Sequence, residues 1–264
     1  VRIFPGAFPT VPLFIIVVLP SILGFHAQLR AQNVDITTPK HAASNWDERL
    51  LISINHWGYS NPGLDGTMEF ISNTSTIPIV AVPVGLYALG VIDHDHDMAL
   101  SGLTIGVGEG LAGVLGQVIK VVVKRDRPYH VLDDVRTPNG GDGGYSFPSG
   151  HATGAWALAT GASLQSPKWY VIAPTALYAI AESISRTYLG LHYVTDDLGG
   201  MVLGAGCAYL AYRCEYLLED WFSKLLPQSS SISSGQLRIS PEVSSNFAGL
   251  SVSMSILQPN SSQY

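Results

Sequence analysis

Charged side chains are scarce in this sequence. They make up 13% of 264 residues, about half of the roughly 25% usual for a soluble domain. Lysine and arginine are missing altogether from Leu50 to Ile119. The formal net charge of −6 excludes nucleic acid as a general partner, since it gives no broad positive field. Cysteine is nearly absent, and the two present exclude a disulfide framework. Cys207 and Cys214 on one helix would be separated by about 10 Å of rise, beyond the roughly 7 Å a bridge can span. Both read as structural thiols. Long uninterrupted apolar runs are also few. A spanning helix needs about 20 apolar residues, and of five apolar segments, 77–92, 100–123, 152–164, 170–184 and 198–212, only the second clearly has that length. The others reach it with polar flanks included.

Hydrophobic residues nonetheless make up 47% of the chain, and mean hydropathy is +0.24. Together with the low charge, this predicts an all-α helical bundle. Five to six transmembrane helices are expected, with a short C-terminal tail or β-hairpin; an apolar soluble bundle is the alternative. Gly102, Gly106 and Gly110 recur every four residues, a stripe that lets helices approach closely in a bilayer. Glu109 and Glu182 lie within apolar segments, where an isolated carboxylate is costly, so they are expected to face the bundle interior or water.

Four regions follow from these shifts in composition. Residues 1–31 combine Arg2, an apolar core and small residues near Ala31, as in a secretory signal peptide or a first membrane helix. Residues 32–72 form an exported polar segment. Within it Asn45–Trp57 reads as an amphipathic helix with Trp46, Leu50, Ile54 and Trp57 on one face, either at a membrane interface or on a soluble core. Residues 73–215 form a helical catalytic domain. Residues 216–264 form a Ser-rich tail in which 236–240 and 248–256 alternate partially about a turn near Ser244.

Three stretches carry chemistry. Lys120 and Arg127-Pro128 are separated by six residues, nearly two helical turns, so both cations should share a face at the end of the long helix. Pro148-Ser149-Gly150-His151 places an N-cap serine before an apolar run, and the N–H groups of such a helix start form an anion site. Ser185-Arg186, His192 and Asp196 complete the set. If a helix starts near His192, that residue and Asp196 lie one turn apart, within hydrogen-bond reach. Read singly, each stretch has a structural explanation: a charged helix end, a common cap, a His–Asp pair.

Taken in order, the three stretches resemble the signature of the type 2 phosphatidic acid phosphatase superfamily. That superfamily includes bacterial class A acid phosphatases and vanadium haloperoxidases. The resemblance covers roughly Gly85 to Tyr212 and fills every defining position. It implies that Lys120, Arg127 and Arg186 hold a phosphate with Ser149 and the Gly150 N–H, that His192 is the nucleophile with Asp196 as orienting partner, and that His151 is the general acid. The implied activity is metal-independent hydrolysis of a lipid phosphomonoester or diphosphate through a phosphohistidine, with no cofactor, vanadate as inhibitor and an acidic to neutral optimum. A lipid phosphate in the membrane is the expected partner, and the site is expected on the exported side. Rival readings are a secreted soluble acid phosphatase, a vanadium haloperoxidase and a non-catalytic bundle.

Two other patterns read as decoys. Asp93-His94-Asp95-His96-Asp97 suggests metal ligands but bridges two apolar segments as a loop. Gly108 to Gly113 matches GxGxxG without the preceding strand that a dinucleotide site needs. Asp197, about 100° from Asp196 on a helix, reads as solvated or capping.

Overall fold

The computed structural model describes residues 39–61, 63–138, 140–225, 236–244 and 247–255. The signal peptide or first membrane helix expected over 1–31 lies outside them. The helices are α1 (Trp46–Asn55), α2 (Trp57–Ser60), α3 (Gly63–Thr74), α4 (Thr76–Asp93), α5 (His96–Val123), α6 (Pro128–Val131), α7 (Gly150–Gln165), α8 (Trp169–Tyr188), α9 (Val194–Arg213) and α10 (Glu215–Leu225). The fold is an all-α bundle, as the composition predicts. Beyond Asp220 the chain forms a separate unit. Its hairpin pairs β1 (Gln236–Ser244) antiparallel with β2 (Phe247–Ser255), with Gln236 opposite Ser255.

Each bundle helix begins and ends for a local reason. The acidic-histidine loop is a helix-to-helix turn: His94 takes a left-handed φ of 57° at the end of α4, and Asp95 accepts from Met98 N at 3.0 Å to cap α5. Lys124 ends α5 in the same left-handed region, at φ 51°. Ser149 caps α7. Gly190, at φ 72°, turns the chain between α8 and α9, a conformation that side chains with a Cβ rarely adopt.

Helix α7 lies at the centre, packed on α5, α8 and α9. Its contacts are small and apolar: Ala157 meets Ala112 and Cys207, Leu158 meets Ile105, and Ala155 and Ala159 meet Ala179. A Cβ on Gly204 would stand 2.1 Å from Thr153 O, so backbone contact between α9 and α7 requires glycine there. The stripe foreseen on α5 is used in part, because Gly102 abuts Tyr87 N of α4. Glu109 and Glu182 are buried in the bundle interior.

Among the described residues two stretches, 63–93 and 96–131, are long and apolar enough to cross a membrane. The sides of the bundle present large apolar residues outward, including Ile77, Val122, Leu177, Val202 and Leu210. A belt of that extent is foreign to a soluble monomer and suits lipid.

Helix α1 orients differently from a helix that buries its apolar face. Its N-cap Asn45 accepts from Glu48 N at 3.0 Å. Trp46 and Leu50 are exposed, while Asp47, Glu48, Leu51 and Asn55 are buried. The polar face points inward because it has partners there: Asn55 Nδ2 donates to Tyr188 O at 2.7 Å and Arg136 O at 2.9 Å. Outward tryptophans fit a membrane interface.

Candidate active site

The three sequence stretches meet at one end of the bundle. Lys120 sits in the last turn of α5 and donates Nζ to Tyr145 O at 2.8 Å. Arg127 is off that helix, contrary to the expectation of a shared helical face. Lys124 has ended α5, and Pro128 at N1 of α6 holds Arg127 extended at φ −76°, ψ 151°, as a residue before proline prefers. The two cations still converge, because the turn carries Arg127 back under the site.

Arg127 is 1% exposed, and its guanidinium is spread over four acceptors. Nε donates to Gly144 O at 3.0 Å and Nη2 to Gly143 O at 2.9 Å. Nη1 donates to Leu191 O at 3.0 Å and lies 3.3 Å from His192 Nε2. Arginine has no acceptor, so Nε2 must be the acceptor and carry the lone pair. The proton of a neutral His192 is then on Nδ1.

That Nδ1 lies 3.6 Å from Asp196 Oδ2 and has no hydrogen-bond partner. The expected hydrogen bond is therefore not made, although the carboxylate faces the Nδ1 proton. His192 is in the loop before α9 rather than on the helix, so the two residues do not share a helical face. Asp196 is drawn elsewhere: Oδ2 accepts from Tyr193 N at 2.9 Å, and Oδ1 accepts from Arg125 Nη1 at 2.7 Å. Arg125 also donates to Asp47 Oδ2 at 2.9 Å and stacks over the Tyr193 ring at 3.7 Å. Thr195 N donates to Asp47 Oδ1 at 3.1 Å. Asp47 of α1 and Arg125 thus fix the carboxylate behind His192.

Ser149 is fully buried. Its N–H donates to Asp196 O at 3.0 Å, and its Oγ accepts from Ala152 N at 3.4 Å. The hydroxyl therefore serves the cap of α7, and Gly150 follows as the first helical residue, where an N–H has no intrahelical acceptor. Asp197 is neither solvated nor capping, contrary to expectation. It is buried on α9, where Oδ2 accepts from Thr187 Oγ1 at 2.8 Å. The Asp196-Asp197 pair thus splits, one carboxylate to each side of the turn. His151, in the first turn of α7, is within electrostatic reach of Lys120, Arg127, Arg186 and His192.

Arg186, 2% exposed, closes the site from α8. Nη1 donates to Ser72 Oγ at 2.5 Å, Nη2 is paired with Asp142 Oδ2, and Nε has no partner. Asp142 Oδ2 also lies 3.5 Å from Arg127 Nη1. Burial pushes this carboxyl up, but Arg186 and Arg127 outweigh it and hold Asp142 below the usual carboxylate range. His192 is held well below the ordinary imidazole range, first by burial and then by Arg127, Lys120, Arg186 and His151.

The sequence reading missed Arg125, Asp47, Ser72 and Asp142. Two left a trace: Arg125 as part of the basic cluster that begins at Lys120, and Asp142 as one acidic residue among four glycines just before the second stretch.

Residues 101–219 match the PAP2 superfamily. The undecaprenyl-diphosphatase of Sulfolobus acidocaldarius is 35% identical over 118 residues, which cover 43% of this chain and 55% of that protein. The undecaprenyl-diphosphatase BcrC of Bacillus subtilis is 28% identical over 174 residues, covering 64% and 84%. The match therefore spans about half of the first relative and most of the second. Among solved structures, Aquifex aeolicus LpxE superimposes with a TM-score of 0.52 at 25% identity, covering 66% of this chain and 99% of that one.

Proposed function

We propose, for a chain whose residues 101–219 match the PAP2 superfamily, that it is a membrane phosphatase acting on a lipid phosphate or diphosphate through a phosphohistidine. The observation that carries this reading is the 3.3 Å approach of Arg127 Nη1 to His192 Nε2. It leaves a buried imidazole with its lone pair directed among three cations. A phosphoryl group held by Lys120, Arg127 and Arg186 would bring its phosphorus to that nitrogen. Its oxygens would also be within reach of the Gly150 N–H at the positive end of α7.

In the first step Nε2 forms the N–P bond as the P–O bond to the leaving group, an ester or a diphosphate anhydride, breaks. The leaving oxygen takes a proton from His151, which in the second step draws a proton from water as its oxygen attacks phosphorus and the N–P bond breaks, releasing phosphate and restoring Nε2. The proton on His192 Nδ1 faces Asp196, whose charge offsets the positive charge that the imidazole acquires. Ser149 contributes by capping the helix that presents Gly150. Fixed cations neutralise the phosphate, so the chemistry requires no metal. The substrate class is proposed from the lateral apolar belt and from the two relatives named undecaprenyl-diphosphatases. An isoprenyl diphosphate is the first lipid to test, with the site on the exported face.

The test is phosphate release by the full chain in detergent micelles from an isoprenyl diphosphate and from a soluble phosphomonoester. Release from the lipid is expected to persist in excess chelator and to stop with orthovanadate. Loss of activity on chelation, restored by a divalent cation, overturns the mechanism.

The pH profile follows from His192. Burial, and then the neighbouring Arg127, Lys120 and Arg186, hold its pKa low, so it is deprotonated, and hence nucleophilic, well into the acid range. The acid limb of kcat/KM, which reports the free enzyme, is expected below the ordinary histidine value of about 6.5. A limb at or above that value that moves in His192 variants would contradict the assignment.

A further inference from the structure

Asp142 stands where a substrate's negative charge would go. One oxygen of its carboxylate is paired with Arg186 Nη2 and lies 3.5 Å from Arg127 Nη1. Those are two of the three groups assigned to the phosphate, and Asp142 is the acidic residue paired with both. The backbone that follows is pinned by the same cations: Gly143 O and Gly144 O accept from Arg127, and Tyr145 O accepts from Lys120. At Asp142 itself, Tyr129 Oη donates to the main-chain O. The main chain is thus tied at Asp142 and over the three residues after it, while the side chain remains 30% exposed. Turning the carboxylate out of the site needs a side-chain rotation with the backbone left in place, a small change compared with opening the loop.

We propose that Asp142 is an internal anion that competes with the phosphoryl group for Arg127 and Arg186. This rests on the phosphatase reading of the same site and adds a selection rule to it. A carboxylate carries one negative charge and is always at hand. A singly charged ligand therefore gains little by replacing it, whereas a phosphomonoester or diphosphate dianion brings more charge to the same cations. The competition acts on product as well as on substrate. Once inorganic phosphate is formed, return of Asp142 satisfies both guanidinium groups and eases its departure. With the carboxylate removed, both arginines would hold an external anion more tightly.

The two alternatives for such a contact have opposite signs. If Asp142 were only a latch that positions Arg127 and Arg186, losing its charge would loosen the site and weaken anion binding. If it competes, losing its charge strengthens binding by about tenfold, the order of one charge-assisted hydrogen bond at a partly exposed site.

The experiment is calorimetric titration of the full chain in detergent micelles with inorganic phosphate and, separately, with orthovanadate. It compares the wild type with Asp142→Asn and Asp142→Ser. Asn keeps the shape and Ser removes most of it, so a folding defect in one is exposed by the other and by its thermal midpoint. The expected result is a Kd for both anions about tenfold lower in both variants, with product inhibition by phosphate rising in step. Equal or weaker binding in the variants overturns the competition and leaves the phosphatase reading standing. Failure of either anion to bind any of the three proteins overturns the phosphatase reading, and the competition with it.

Discussion

Replacing His192 with alanine is expected to lower phosphate release by about ten thousandfold or more, the scale on which removal of a nucleophile acts. The expectation rests on the direction of one lone pair. Arg127 Nη1 approaches Nε2 at 3.3 Å and can only donate, which leaves Nε2 basic and Nδ1 protonated toward Asp196. The same substitution should leave the fold nearly intact, since Nδ1 has no hydrogen-bond partner to lose and Arg127 Nη1, released from Nε2, keeps Leu191 O. Rapid acid- or base-quench labelling with a radioactive phosphate ester tests the step itself: the wild type should carry acid-labile, base-stable label and His192→Ala none. Retention of activity near wild type in His192→Ala would sink the phosphohistidine route.

The second large effect is expected from Arg127→Lys, a change that keeps the charge. Arg127 is 1% exposed and holds Gly143 O, Gly144 O and Leu191 O besides its approach to His192. A lysine ammonium is a single point on a flexible stem and cannot reproduce that fork. At least two of these carbonyls, which are buried at Leu191 and half-buried at Gly143 and Gly144, would lose their donor, at about 1–3 kcal/mol each. A stability loss of about 2–4 kcal/mol, read from the thermal midpoint in detergent, is therefore expected. Activity should fall by about a hundred- to a thousandfold, the scale for one fixed oxyanion donor, and inhibition by vanadate should weaken alongside. Activity within threefold of wild type would show that charge alone suffices and that the fork geometry is dispensable.

Both effects come from a site that no single stretch of sequence describes. Lys120, Arg127, Arg186 and His192 were each visible as residue types at telling positions. Their common destination was inferred from resemblance, and the three elements do meet. The local geometry was less legible. Lys120 to Arg127 reads as two helical turns by counting, yet Lys124 and Pro128 break the helix between them. His192 and Asp196 read as helical neighbours, yet α9 starts after His192, and the carboxylate is turned to Arg125 and Tyr193 N. Helix α1 shows the limit most plainly. Its apolar stripe fitted a membrane interface or a soluble core equally, and the outward choice follows because Asp47 and Asn55 have partners inside.

Residue type and periodicity alone determined that this chain forms an apolar all-helical bundle with cationic residues gathered near helix ends. Those properties depend on local propensity, helix caps and the total apolar content, all of which act over a few residues. Tertiary structure alone decided which carboxylate goes where. Asp47 lies far along the chain from Arg125 and Thr195, and Asp142 is set between Arg127 and Arg186 by a loop whose main chain is tied to Tyr129, Arg127 and Lys120. Such pairings join groups from separate elements, and a buried ion pair forms only where packing brings both charges together out of water. Spacing in a sequence reports helical neighbours, but it carries no information about which distant charge will be there to meet them.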